Sequence, residues 1–230
     1  VIKIDRTDTC GWEAAVRGMR NPLNSWDKTD SHYCWEPTSP TGGCFGCELR
    51  DDRYCRVDKY VLGKADLDLM KRLVGSGTDH SKFMRMITVT VDLTAPLYWW
   101  KEFDTYKVGT VANSCSTMHK IQAKQFTLDD FSHEHLQDEL DFERTFKTYL
   151  LTVIDGLNEA REMYLETKDK FYWWQMIQLL PSSYNQKRTV QLNYAVLKNV
   201  YHARKSHKLD EWHTFCDWVE HLPYSELITM

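Results

Sequence analysis

Hydrophobic positions repeat at helical spacing along most of this chain and alternate only in short stretches. Leu69, Met70, Leu73 and Val74 follow Asp66 at helical spacing, and Gly75-Ser-Gly77 supplies the stop. Phe146, Tyr149, Leu150, Val153, Ile154, Leu157, Ala160 and Tyr164 form one apolar stripe, the mark of a long amphipathic helix. Shorter helices are expected around residues 12–19, from 169 to 180 before Pro181, from Thr189 to Ser206, and from Trp212 to His221 before Pro223. Ile87, Val89, Val91 and Leu93 alternate with polar neighbours, as in a half-buried strand, and Pro96 then opens a helix through Phe103. A second, short strand is expected at Val1–Ile4, and Val108–Thr117 reads as a loop. Many helices and few strands predict an α+β fold: a helix-rich single core with a small antiparallel or mixed sheet.

The 230 residues fit one domain, 1–230, with the turn-rich segment 31–60 as an insertion loop. A net charge of −4 argues against a general nucleic-acid binder. The longest apolar run, Ala95–Trp100, falls far short of the roughly 18 residues of a membrane span. Val1-Ile-Lys-Ile-Asp5 has neither the basic start nor the apolar stretch of a signal peptide, so a soluble cytoplasmic protein is the expectation. Four of the seven cysteines are spaced Cys34-x9-Cys44-x2-Cys47-x7-Cys55. The two-residue gap lets Cys44 and Cys47 share a tetrahedral zinc, with Cys34 and Cys55 as the irregular half; free thiols or a disulfide are the alternatives. Cys10, Cys115 and Cys216 read as small packing residues.

No Walker loop, Gly-x-Gly-x-x-Gly, Gly-x-Ser-x-Gly or His-Glu-x-x-His occurs, which removes the nucleotide-binding, hydrolase and zinc-protease classes those motifs mark. Three constellations carry chemistry. His80, in Gly77-Thr-Asp-His80, sits where a helix passes into a strand, as a stacking partner for a planar ligand or as a plain surface side chain. Asn113-Ser-Cys-Ser-Thr117 offers hydroxyl and amide donors to a phosphate, or forms an ordinary turn. Asn193, Leu197, Val200 and Arg204 recur at helical spacing, which puts a guanidinium on an apolar face. Such a group calls for an anion, either a structural carboxylate or a phosphate or acidic pyrimidine.

In order and spacing these segments resemble the flavin-dependent thymidylate synthases over roughly residues 62–220. The shared features are Gly77-Thr-Asp-His80, Leu93-Thr-Ala95-Pro96, Leu180-Pro181, Thr189-Val-Gln-Leu-Asn193, Asn199, Arg204 and Glu211. The family's Arg-His-Arg-x-x-Ser-x-Asn-Glu-x-Ser-x-Arg signature is eroded. Asn113 and Ser116 match it, Ser114 replaces the Glu, Met118 replaces the last Arg, and Thr105-Tyr106-Lys107 stands for Arg-His-Arg. Glu102 stands where a Gln is usual and Arg85 where a Glu is common. Each lost Arg removes charge-assisted contacts of about 1.5–3 kcal/mol.

The resemblance implies a thymidylate synthase-complementing-protein fold and the methylation of dUMP to dTMP. FAD would be the cofactor, with NADPH and methylene-tetrahydrofolate as co-substrates. It further implies that His80, Lys107, Asn113, Asn193 and Asn199 contact the flavin and that Glu102, Ser114, Ser116 and Arg204 contact the nucleotide. Arg204 and Ser116 would be the catalytic pair, and the assembly would be a homotetramer with sites at subunit junctions. Three functions follow: this enzyme, a relative acting on another pyrimidine nucleotide (for example by hydroxymethylation), or a non-catalytic nucleotide-binding or interaction module.

Overall fold

A computed structural model describes residues 2–33, 60–137 and 145–230. The fold is α+β, rich in helix, with a small antiparallel sheet. In chain order the elements are β1 (Lys3–Cys10), α1 (Trp12–Arg20), β2 (His32–Tyr33), β3 (Tyr60–Val61), α2 (Lys64–Gly75), β4 (Thr88–Pro96), α3 (Leu97–Phe103) and β5 (Val111–Ser114). There follow α4 (Thr117–Lys120), α5 (Phe146–Thr167), α6 (Lys170–Leu179), β6 (Asn185–Asn193), α7 (Tyr194–Arg204), α8 (Asp210–Glu220) and α9 (Glu226–Thr229). No described helix is long and apolar enough to cross a membrane. Cys34, Cys44, Cys47 and Cys55, and with them most of segment 31–60, lie outside the described residues.

The main sheet has the order β1-β4-β6-β5, and β2 pairs antiparallel with β3. Backbone bonds beyond the strand ends show how β4 meets β6: Tyr194 N donates to Ile87 O, and Leu97 N donates to Tyr184 O, each at 3.0 Å. Residue numbers rise on one strand as they fall on the other, so the pair is antiparallel. Three elements correct the sequence-based expectation. Residues 111–114, expected within a loop, form strand β5. β1 runs to Cys10 rather than stopping at Ile4, and the helix expected from Thr189 begins only at Tyr194, because residues 185–193 are strand.

The chain divides into two compact units. The first comprises Val1–Lys3, Leu93–Thr105 and Asn113–Thr189; the second comprises Ile4–Asp92, Tyr106–Ala112 and Val190–Met230. In the first, α5 and α6 form a hairpin. Thr145 caps α5 by accepting from Thr148 N, Lys168 turns the chain in the left-handed region, and Asp169 caps α6 by accepting from Phe171 N. Leu150, Ile154, Leu157 and Ala160 bury the stripe against Ile121, Phe126, Phe131 and Met176. The stripe's first residues depart from expectation, since Phe146 and Tyr149 are exposed.

In the second unit Trp12 is buried edge-to-face with Tyr194 and Tyr224. Arg20, at the end of α1, is paired with the fully buried Asp66 of α2, its Nε donating to Oδ1 at 2.7 Å. Asp30 caps α2 from a distance, accepting from Ala65 N and Asp66 N. Gly11 begins α1 at φ +93°, where an added Cβ would lie 2.0 Å from Met86 O. We expect Gly11→Ala to cost about 3 kcal/mol or more, since strain and overlap combine. Chemical denaturation checks this; a midpoint equal to wild type would show that the backbone there shifts freely.

Candidate functional site

The second unit builds a guanidinium clamp. Asn193 closes β6 and caps α7, its side-chain oxygen accepting from Val196 N at 3.1 Å. Arg204 lies in the last turn of α7, where a positive charge complements the helix dipole. Its Nε donates to the Tyr106 hydroxyl at 2.8 Å. The guanidinium carbon sits 4.8 Å from the centre of the Trp212 ring and 5.5 Å from that of Tyr106, and these two rings meet edge-to-face. Trp212 is fully buried on α8 and Tyr106 half-buried in the loop after α3. The cation therefore rests on the Trp212 ring, an arrangement worth about 0.5–2 kcal/mol, while Tyr106 meets it through its hydroxyl.

The other expected residues of this unit stand apart from the clamp. Asn193 is a cap, so the inference that it shares a helical face with Arg204 is corrected. Asn199 is exposed and lies five residues from Arg204, about 140° around the helix. His80 is exposed in the turn after α2, with its backbone N–H donating to Gly77 O. Lys107 is exposed in the loop that follows Tyr106. That loop packs on the start of α7: a Cβ on Gly109 (φ +80°) would come within 3.0 Å of Asn193 Nδ2.

The first unit holds a cavity of about 540 Å³. Ser116, which caps α4 by accepting from His119 N, lines it together with Cys115, Thr117, Lys124, Asp130, Tyr184 and Lys187, among others. Two bonds fix this wall: Cys115 N donates to Lys187 O, and Gln186 Nε2 donates to Cys115 O, each at 2.9 Å. Lys124 is ion-paired with Asp130, and that hydrogen bond, against the pull of burial, raises the Lys124 pKa. Burial first, and the Asp130 charge second, raise that of Tyr184. The cavity thus offers hydroxyls, amides and both signs of charge, a surface suited to a polar ligand. Asn113 and Ser114 are exposed on the edge strand β5, and Glu102 is half-buried near the end of α3.

Sequence reasoning passed over Tyr106 and Trp212 as partners of Arg204. An aromatic residue at each was visible, but nothing local pairs residues 98 positions apart. Among the described residues no group of three or more His, Cys, Asp and Glu side chains is placed to hold a metal ion. Cys216 is buried, and burial, then Asp217 and Glu220, push its thiol up to about 11, as a packing cysteine should be. Cys10 and Cys115 are exposed, contrary to the packing role expected of them.

No family model matches the sequence, and no curated protein is significantly similar to it. Solved structures do match in fold. A thymidylate synthase X from Helicobacter pylori, solved with FAD and dUMP, aligns at a TM-score of 0.65 and 14% identity, covering 100% of this chain and 98% of that one. A second structure of the H. pylori flavin-dependent enzyme, also with FAD and dUMP, gives 0.64 and 14%, covering 99% and 97%. The UMP/dUMP methylase PolB from Streptomyces cacaoi, bound with 5-bromo-dUMP, gives 0.57 and 14%, covering 100% and 95%.

Proposed function

We propose that this protein is a flavin-dependent methyltransferase that converts dUMP to dTMP, with methylene-tetrahydrofolate as carbon donor and NADPH as reductant. The observation that carries the reading is the Arg204 clamp at the end of α7, on a fold shared along the whole chain with nucleotide-methylating enzymes. A guanidinium lying over the Trp212 ring and bonded to the Tyr106 hydroxyl suits a planar pyrimidine that gains negative charge as it reacts, and Arg stays protonated throughout. By the resemblance, Ser114, Ser116 and Glu102 are also assigned to the nucleotide.

The side chains assigned to FAD fit it by chemistry. His80 presents an exposed imidazole, Lys107 an exposed cation for the diphosphate, and Asn113 and Asn199 exposed amides. Asn193 spends its oxygen on the cap and turns its amide nitrogen toward Gly109. Bound there, the flavin would supply the hydride; the protein's own part is to orient the nucleotide and balance its charge.

A homo-oligomer belongs to the same proposal. Phe171, Trp174 and Leu179 on α6, with Phe146, Tyr149 and Leu165 on α5, are exposed apolar and aromatic side chains on the hairpin. Wild-type protein is expected to show a multiple of 27.2 kDa by light scattering, and Phe171→Glu/Trp174→Glu a smaller mass. A monomeric wild type would remove this part.

A second reading, action on a different pyrimidine nucleotide such as UMP, is favoured by Thr105-Tyr106-Lys107, which lacks the paired arginines of the resembling family. The test is direct. After incubation with FAD and gel filtration, flavin absorbance should travel with the protein, and dUMP should yield dTMP when the co-substrates are present. Retained flavin with turnover of UMP alone selects the second reading, and colourless protein inert toward both nucleotides rejects the enzyme.

A further inference from the structure

We propose that Gln186 is the positioning residue for the Cys115–Ser116 wall of the first unit's cavity, holding the backbone from which Ser116 meets a ligand. The proposal rests on the assignment of Ser116 to the nucleotide only for what that wall serves. From Val111 to Lys120 no side chain is buried and only Thr117 is half-buried, so packing does little to fix the segment. β5 ends at Ser114, α4 is a single turn, and Cys115 and Ser116 lie between them. Two bonds from β6 take the place of packing: Cys115 N donates to Lys187 O and Gln186 Nε2 donates to Cys115 O, each at 2.9 Å. The first holds the peptide plane before Cys115 and the second the plane after it, so together they restrain both backbone torsions of Cys115. Ser116 Oγ accepts from His119 N at 3.0 Å, which leaves its own O–H to be given to a ligand. α4 has a separate tether, Trp173 Nε1 donating to Met118 O at 3.1 Å, but it lies beyond Ser116.

Gln186 can hold that plane because it is itself held. It is buried, and its amide oxygen accepts from Arg188 Nε at 3.0 Å while its nitrogen serves Cys115 O. An arginine offers no acceptor and a carbonyl no donor, so one amide orientation satisfies both neighbours and the flipped one satisfies neither. Arg188 in turn donates from Nη1 to Asp104, just past α3, at 2.7 Å, and its guanidinium carbon lies 4.2 Å from the centre of the Trp100 ring. Trp100, buried on α3, closes the circuit by donating from Nε1 to Gln186 O at 2.9 Å. An exposed wall is thus referred to the buried face of α3 through one side chain that must carry a donor and an acceptor at once.

The test uses the intact protein and two variants. Gln186→Met keeps the length without either polar group; Gln186→Glu keeps an acceptor for Arg188 but has no N–H for Cys115 O. In wild type the backbone amide of Cys115 is expected to exchange slowly with solvent in 15N–1H spectra. Both variants should speed that exchange about tenfold while the β4 amides exchange as in wild type. The neutral Gln186→Met should also weaken dUMP binding about fivefold by calorimetry and raise KM more than it lowers kcat. Wild-type exchange at Cys115 in either variant overturns the proposal, as does faster exchange in Gln186→Met with wild-type dUMP affinity and KM. Should Gln186→Met fail to fold, exchange in Gln186→Glu decides. Should wild type fail to bind dUMP, the proposed function falls on that result alone, and the exchange comparison still decides whether Gln186 holds the wall.

Discussion

Arg204→Ala is expected to lower dUMP turnover by about a hundredfold to a thousandfold, the range seen when one preorganised donor to developing charge is removed. The clamp explains why the loss should fall on function far more than on folding. The guanidinium lies over Trp212 and donates to the Tyr106 hydroxyl, so its removal costs stability of about 1–3 kcal/mol and several degrees in midpoint. Arg204→Lys retains the charge but neither the planar group nor the Nε–H given to Tyr106, and should recover little of the activity. Steady-state assays of the three proteins, with circular dichroism as the check on folding, test this. Wild-type turnover in Arg204→Ala would remove Arg204 from the site.

The largest effect on stability is expected at Asp66. Its carboxylate accepts from Arg20 Nε, Thr29 Oγ1, Ser31 Oγ and Ser31 N, while the same guanidinium donates to the carbonyls of Ser25 and Lys28. Asp66→Ala strands a buried cation and is expected to cost about 3–5 kcal/mol. Replacing both partners by apolar residues, Arg20→Met/Asp66→Leu, should recover part of that loss, because no charge is then buried alone.

Acid acts on the same network. Burial raises the Asp66 pKa, but the bonds from Ser31, Thr29 and Arg20, with the charge of Arg20, outweigh it and hold the group below 3.8. A carboxyl whose folded pKa lies below its unfolded one contributes its full share of stability above the unfolded value. That share is lost as the pH drops from about 3.8 through the folded value. Urea midpoints at pH 7 and pH 3 should therefore differ more in wild type than in the double variant; equal differences would show that Asp66 does not carry the acid sensitivity.

The helices were legible because each buries an apolar stripe at its own period, as Leu150, Ile154, Leu157 and Ala160 do. The strand β6 was not. Its inward positions include Gln186, Arg188, Val190 and Leu192, so two polar side chains interrupt the alternation. They are tolerated because each finds a partner: Gln186 bonds to Cys115 O, and Arg188 stacks on Trp100 and pairs with Asp104. β5 carries no alternation at all, being an edge strand with all four residues exposed. At the candidate site the sequence pointed to Arg204 and to the Asn113–Thr117 segment. The aromatic clamp stayed hidden because only tertiary packing brings Tyr106 and Trp212 to the same cation.

β6 passes into α7 without a single intervening residue, Asn193 ending one and capping the other. The strand register, locked where Tyr194 N meets Ile87 O, is thereby also the angular setting of the helix. Adding or removing one residue at this seam would swing Arg204 by about 100° and carry it off the Trp212 ring. The junction accordingly has no latitude for change of length. Slack for insertions must come from elsewhere in the chain, where a real loop can absorb it.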